Sequence, residues 1–231
     1  KDRKNVFYLM MLIGLSVVFF AFWNQQPTSL SLYIDRNVSH HMFGMTIPTS
    51  SFWLFNPFWI VVMSPVMVWL YQKEFAIVHS TQAKYMMGLV LTSASYWVIV
   101  IACRYFSEGG IISGYWIALS YGLLAIGELL ISALGASLVV RYAPASMRGF
   151  MMGVWFFASS LAGILAGCFA HMTDVPTTVH DPMISQSIYQ HAFTAFGCIS
   201  AGVVVIAGVI FYAVPSIGKI SRSYVLDASA G

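Results

Sequence analysis

One acid sits deep inside an apolar stretch of this chain. Glu128 lies in the middle of YWIALSYGLLAIGELLISALGASLVV, residues 115–140, whereas Asp2, Asp35, Glu74, Glu108, Asp174, Asp181 and Asp227 fall at ends or in loops. An acid at the centre of a bilayer costs about 2.5–3.5 kcal/mol on insertion scales, so it calls for a partner, a water-filled cavity or a role. On a helix, Tyr121, Ala125, Glu128, Ser132 and Gly135 share one face at spacings of three and four, opposite Leu123, Ile126, Leu130 and Leu134. Such a face, with a hydroxyl one turn on and a phenol two turns back, suits a cationic ligand or a carboxyl group that alternates between protonated and charged forms. The alternative is a Glu hydrogen-bonded to another helix with no further role.

Other polar groups stand in apolar surroundings. Asn56 precedes Pro57 in the second apolar stretch, where it is either a binding amide or a helix cap. Gln25 stands between Asn24 and Gln26 in the first. Trp155 and Phe156 are either packing residues or the wall of a pocket. Cys103, Cys168 and Cys198 are odd in number, contain no CxxC, and read as small core hydrophobes. The six histidines show neither HxxxH nor HExxH spacing, so no metal site is expected. No nucleophile–base pair and no phosphate loop is visible, which argues against an intramembrane enzyme. No Lys/Arg run points to nucleic acid.

The elements that must hold these residues are membrane helices. Hydrophobic residues make up 59% of the 231 and charged residues 8%, against about 25% charged in a soluble domain. A spanning helix needs about 20 apolar residues, and six stretches qualify: about 6–32, 53–72, 84–104, 115–140, 147–171 and 190–214. The expected fold is an all-α membrane protein, a six-helix bundle over residues 1–231. With six spans, Lys1, Arg3, Lys4, Lys73, Lys84, Arg141, Arg148, Lys219 and Arg222 share one side, and only Arg36 and Arg104 the other. The basic excess places both termini in the cytoplasm. Gly149 and Gly153, then Gly163 and Gly167, form two GxxxG spacings in the fifth span, expected to pack inside the bundle. The chain opens on Lys1 with no initiating Met and no cleavage signal, as a fragment of a longer protein would. Many transporters are built from six-helix halves, each two repeats of three, which would make spans 1 and 4 equivalent.

Two stretches carry a family resemblance. GELLISALGASLVVRYAPASMRGFMMGVWFFASSLAGILAG, residues 127–167, contains a Gly-Glu pair, a Ser four residues after the Glu, then Ala-Pro, Arg-Gly, Met-Gly and Trp-Phe across a short loop. FFAFWNQQPTSLSLYIDRNV, followed by IPTSSFWLFNPFWIVVMSPVMVWL, contains an Asp-Arg-Asn loop and an Asn-Pro pair. Jointly they resemble the proton-coupled oligopeptide transporters of the major facilitator superfamily, and the Gln-x-Pro-Thr-Ser stretch looks closest to the bacterial dipeptide and tripeptide permease branch. The resemblance implies that the chain is helices seven to twelve, the C-terminal half of a major facilitator fold. It implies proton-coupled uptake of di- and tripeptides by alternating access across the inner membrane, with no cofactor beyond the coupling proton.

Roles follow from the same resemblance. Glu128 matches the acid that receives the peptide's amino terminus, Asn56 the amide that assists it, and Ser132 lies one turn beyond. Trp155 and Phe156 match aromatics of a side-chain pocket and the inner gate. Gln25 stands where many members carry Glu, and it cannot titrate. The groups that read the peptide carboxylate belong to the N-terminal six-helix half, a required partner absent from this chain. Rival readings are a major facilitator transporter of another small solute and a non-transporting structural subunit.

Overall fold

A computed structural model describes residues 2–72 and 81–213. Lys1, Lys73, Lys219 and Arg222, four of the basic residues used for orientation, lie outside them. Among the described residues six helical runs are long and apolar enough to cross a membrane: Val6–Asn37, Thr49–Leu70, Thr81–Tyr105, Gly114–Val140, Ala145–Thr173 and Pro182–Tyr212. The helices are α1 (Asp2–Trp23), α2 (Ser31–Asn37), α3 (Phe55–Gln72), α4 (Thr81–Tyr105), α5 (Gly114–Tyr142), α6 (Arg148–Ala170) and α7 (Pro182–Ala213). Helices suit this setting because they satisfy their own backbone groups where no water can.

The first run is not one continuous α-helix. Pro27 has no N–H to donate, and its ring cannot tolerate an undisturbed preceding turn. The chain widens into a π-helical turn over Gln26–Leu30, closed by Leu30 N–H to Gln25 O at 2.9 Å, before α2 resumes. Gln25 stitches this irregular turn to α6. Its Nε2 donates to Ala21 O (3.2 Å) and Ala166 O (3.0 Å), and its Oε1 accepts from Ser29 Oγ (2.6 Å). Tyr96 on α4 donates its hydroxyl to Phe22 O at 2.7 Å, just before the break. Pro57, by contrast, bends nothing. It occupies the first turn of α3, where the missing N–H would have had no helical partner.

Short strands lie between the helices. β1 (Val38–Ser39) pairs in parallel with β4 (Ile112–Ser113), and β2 (His41–Met42) pairs antiparallel with β3 (Met45–Thr46). The β2–β3 reversal uses positive φ at Phe43 (53°) and Gly44 (75°), the twist a two-residue hairpin requires. Nearby, Asn37 ends α2 fully buried. Its Nδ2 donates to Gly110 O and Pro182 O, both at 2.8 Å, and its Oδ1 accepts from Ser185 Oγ at 2.9 Å. A side chain at Gly110 (φ 83°) would collide with the Pro182 backbone. This knot explains why α7 begins at Pro182 and not near residue 190. Asp181 Oδ1 caps the start by accepting Met183 N–H at 2.9 Å, and the polar residues Ser185 and Gln186 are absorbed by bonds to Asn37 and Cys103 O.

Two apolar clusters fill the bundle. One gathers Leu12, Phe19, Tyr85, Ile131, Val139 and Trp155; the other is aromatic, built on Phe22, Tyr33, Phe52, Tyr96, Phe193 and Phe196. α5 runs through the middle, and α4 meets it at Gly88 and Gly127. A Cβ at Gly127 would come 3.1 Å from Gly88 O, and one at Gly88 2.6 Å from Ile131 Cδ1. That is close approach of the small-residue kind. The GxxxG expectation is therefore corrected: Gly149, Gly153, Gly163 and Gly167 have nothing within 4 Å of an added Cβ and lie on an exposed face of α6. Cysteine is corrected in part. Cys103 is buried beside the Tyr33 hydroxyl, but Cys168 and Cys198 are exposed.

A Cβ at Gly135 would fall inside the indole of Trp155. Gly135→Ala, which in an exposed helix would stabilise, is expected here to cost about 1–3 kcal/mol of overpacking. A lowered thermal unfolding midpoint in detergent checks this; an unchanged or raised midpoint refutes it. Gln25→Leu, which removes the bonds to Ala21 O, Ala166 O and Ser29 Oγ, should likewise destabilise by about 1–3 kcal/mol. Equilibrium unfolding of that variant at wild-type stability would count against the stitching role.

Candidate functional site

Three helices meet at one carboxylate. α5 brings Glu128 into the bundle, half-buried, midway along an otherwise apolar span. α1 ends at Trp23, whose Nε1–H donates to Glu128 Oε2 at 2.8 Å. α3 begins at Phe55, and Asn56 in its first turn donates Nδ2–H to the same oxygen at 3.2 Å. The local reasons are legible. The break before Pro27 stops α1 where the indole faces α5. Placing Asn56 next to Pro57 fixes it at a helix start, with its side chain turned back into the bundle and 3% exposed. Trp59, one turn on in α3, anchors that helix to α5 by donating to Ala118 O at 2.8 Å and lying against Gly122.

Both donors are neutral, and no Lys or Arg of the described residues bonds Glu128. The two bonds converge on Oε2 and leave Oε1 without a hydrogen bond among the described residues. Asn56 Oδ1 is buried and also unpartnered. The site thus offers two acceptor oxygens from different helices, held by groups that cannot themselves cancel the charge. An ammonium carries three donors and no acceptor. A primary amine is therefore the kind of group this arrangement can complete.

The remaining candidates are distributed unevenly. Ser132 lies one turn from Glu128 on α5 and is half-buried. Trp155 is 7% exposed and packs edge-on against Phe20, with ring centroids 6.2 Å apart, and over Gly135. It holds α6 to α1 and α5 and makes no hydrogen bond to the carboxylate. Phe156 is 63% exposed on α6. Gln25 is not brought to the carboxylate at all, because its amide is spent on Ala21, Ala166 and Ser29. Sequence reasoning did not identify Trp23 as a partner of Glu128. An indole donor is hidden inside an aromatic-rich run, and the only signal was an unpaired acid in need of a donor. Among the described residues no three His, Cys, Asp or Glu side chains lie close enough to hold a metal ion.

Comparison with known proteins gives a consistent result. Residues 1–191 match the family model described as POT family. The chain is 34% identical over 231 residues to dipeptide and tripeptide permease A of Klebsiella pneumoniae (strain 342), covering 99% of this chain and 45% of that protein. It is 32% identical over 228 residues to the permease A of Escherichia coli (strain K12), with the same coverage. Among solved structures, the crystal structure of tetrameric PepTSo2 superposes with a TM-score of 0.80 at 29% identity, over 94% of this chain and 45% of that one. A structure described as bearing on substrate recognition in proton dependent oligopeptide transporters gives 0.77 at 28%, over 96% and 44%. The chain spans about half the length of the curated relatives it matches. By its family match, its relatives and its architecture of six long apolar helices, this chain is a member of the POT family, with the fold of one half of a major facilitator transporter.

Proposed function

We propose that this chain is the C-terminal six-helix half of a proton-coupled symporter that takes up di- and tripeptides across the cytoplasmic membrane. The observation that carries the reading is the Glu128 site. A carboxylate lies in mid-span with two neutral N–H donors on Oε2, while Glu128 Oε1 and Asn56 Oδ1 remain as acceptors. The printed names of the relatives, dipeptide and tripeptide permeases, supply the substrate class. Short peptides of varied sequence share a charged amine, a backbone and a carboxylate, so a promiscuous site should read the ends. Glu128 and Asn56 receive the ammonium, with Ser132 alongside. The positive charge for the carboxylate comes from the other half of the same polypeptide, consistent with relatives about twice as long.

In symport the proton and the peptide are carried inward together as the two halves rock around the site, with Glu128 holding the ammonium. No cofactor is needed. The α3 and α6 surfaces carry Val61, Val66, Trp69, Phe156, Phe157 and Ile164 exposed, together with the small residues of the two GxxxG pairs. They are the faces available to the other half. In that setting Phe156 can still line a side-chain pocket, formed between halves and not within this one. The basic excess supports a cytoplasmic position for both termini.

The test is gradient-driven uptake of a labelled dipeptide by the full-length parent in proteoliposomes. Glu128→Gln should abolish uptake while leaving insertion and folding intact, and full retention would remove the ammonium-binding role. Trp23→Phe keeps an aromatic side chain but deletes the indole N–H and its bond to a charged acceptor. It should lower kcat/KM for peptide by roughly tenfold or more, and wild-type kinetics in that variant would mean that Trp23 does not position the carboxylate.

A further inference from the structure

Gln26 is 1% exposed, yet neither its Nε2 nor its Oε1 has a hydrogen-bond partner among the described residues. Its neighbour Gln25 is equally buried and has both ends of its amide satisfied. A buried carboxamide with donor and acceptor both idle is costly unless something outside the chain completes it. Gln26 lines a cavity of about 310 Å³ together with Ser31, Thr49, Ser50, Trp53 and Tyr121. The Thr49 hydroxyl already donates to Asp35 at 2.9 Å. No lining residue is charged, so a peptide carboxylate would find no counter-charge there and would be repelled by the nearby Asp35. A carboxamide instead presents N–H and C=O side by side, the complement of another amide.

We infer that Gln26 and its cavity form a subsite for a neutral amide of the substrate, one that favours peptides able to place an amide beyond the group held at Glu128. The inference rests on the peptide-transport reading above. Its geometry follows from α5. Tyr121, at the cavity edge, precedes Glu128 by seven residues, roughly 10 Å along a helix that rises about 1.5 Å per residue. An extended peptide advances at most about 3.3–3.6 Å per residue. With its amine on Glu128, its third residue comes level with the cavity. Two groups could present the amide: the backbone entering a third residue, or the side-chain carboxamide of a second. Ordered water is the competing occupant, since the cavity has room for several molecules.

The experiment is competition against labelled Ala-Ala uptake by the full-length parent in proteoliposomes, with unlabelled Ala-Ala, Ala-Ala-Ala and Ala-Gln as competitors. Wild type is compared with Gln26→Met, which keeps the side-chain shape and deletes both amide functions; Gln26→Leu serves as a second variant of the same polarity. The half-inhibitory concentration should rise roughly tenfold for Ala-Ala-Ala if the backbone amide is read, or for Ala-Gln if the side-chain amide is read. Ala-Ala should stay within about twofold. The unfolding midpoint should hold or rise, because idle buried polar atoms have been removed. A raised midpoint with unaltered competition means water alone fills the cavity and overturns the subsite. Equal loss for all three peptides overturns it too. Absence of any peptide uptake by the wild type would instead sink the transport reading.

Discussion

A carboxylate in the hydrocarbon layer has to be met by donors that the protein itself carries to that depth, and this requirement organises the bundle around Glu128. The donors come from two other helices, Trp23 at the end of α1 and Asn56 at the start of α3. A helix end in mid-bundle is needed for each. Pro27 supplies the first by breaking span 1 after Trp23, and Pro57 marks the second. α5 must then run centrally, and its close contact with α4 through Gly88 and Gly127 lets the backbones approach without side chains between them. The charge, the two prolines and the glycine contact are parts of one solution.

The broken first span would be a liability without compensation, because a wide turn leaves carbonyls short of donors in a region without water. Gln25 and Tyr96 answer much of that need, reaching Ala21, Ala166 and Phe22 carbonyls. The Asn37 knot does the same at the far end of that span, drawing Gly110, Pro182 and Ser185 into one buried cluster. Among the described residues six buried polar atoms remain without a hydrogen bond: both ends of the Gln26 amide, Asn56 Oδ1, Arg36 Nη1, Gln82 Nε2 and Ser120 Oγ. Of these, Asn56 belongs to the Glu128 site and Gln26 lines the neighbouring cavity.

The distribution of exposed apolar surface follows the same logic at larger scale. α4 and α5 are well covered, while α3 and α6 keep long faces of Val, Phe, Ile and Trp open. Six helices of this chain correspond to about 45% of its permease relatives. The exposed glycines of α6 present a small-residue face of the kind that permits close helix approach.

The class of protein was legible from composition and hydropathy alone, because about 20 apolar residues in a row have few soluble uses. Glu128 was legible because an acid in such a run is expensive, and the family because its motifs recur at fixed spacing. Asn56 was readable as a candidate, since an Asn-Pro pair starts a helix and leaves one amide free. Tertiary structure alone decided what those groups touch. Trp23 and Gln25 are two residues apart on the same span and so point to opposite sides of it, but only packing decides that one meets the carboxylate and the other ties α1 to α6. The GxxxG glycines were assigned to the bundle interior from their spacing but lie exposed on α6, because one helix's pattern cannot say which neighbour its face will find. The start of α7 moved to Pro182 because Ser185 and Gln186, polar in the sequence, are satisfied by residues roughly eighty to one hundred and fifty positions away. Periodicity along a chain records which side chains share a face; only packing records what lies opposite them.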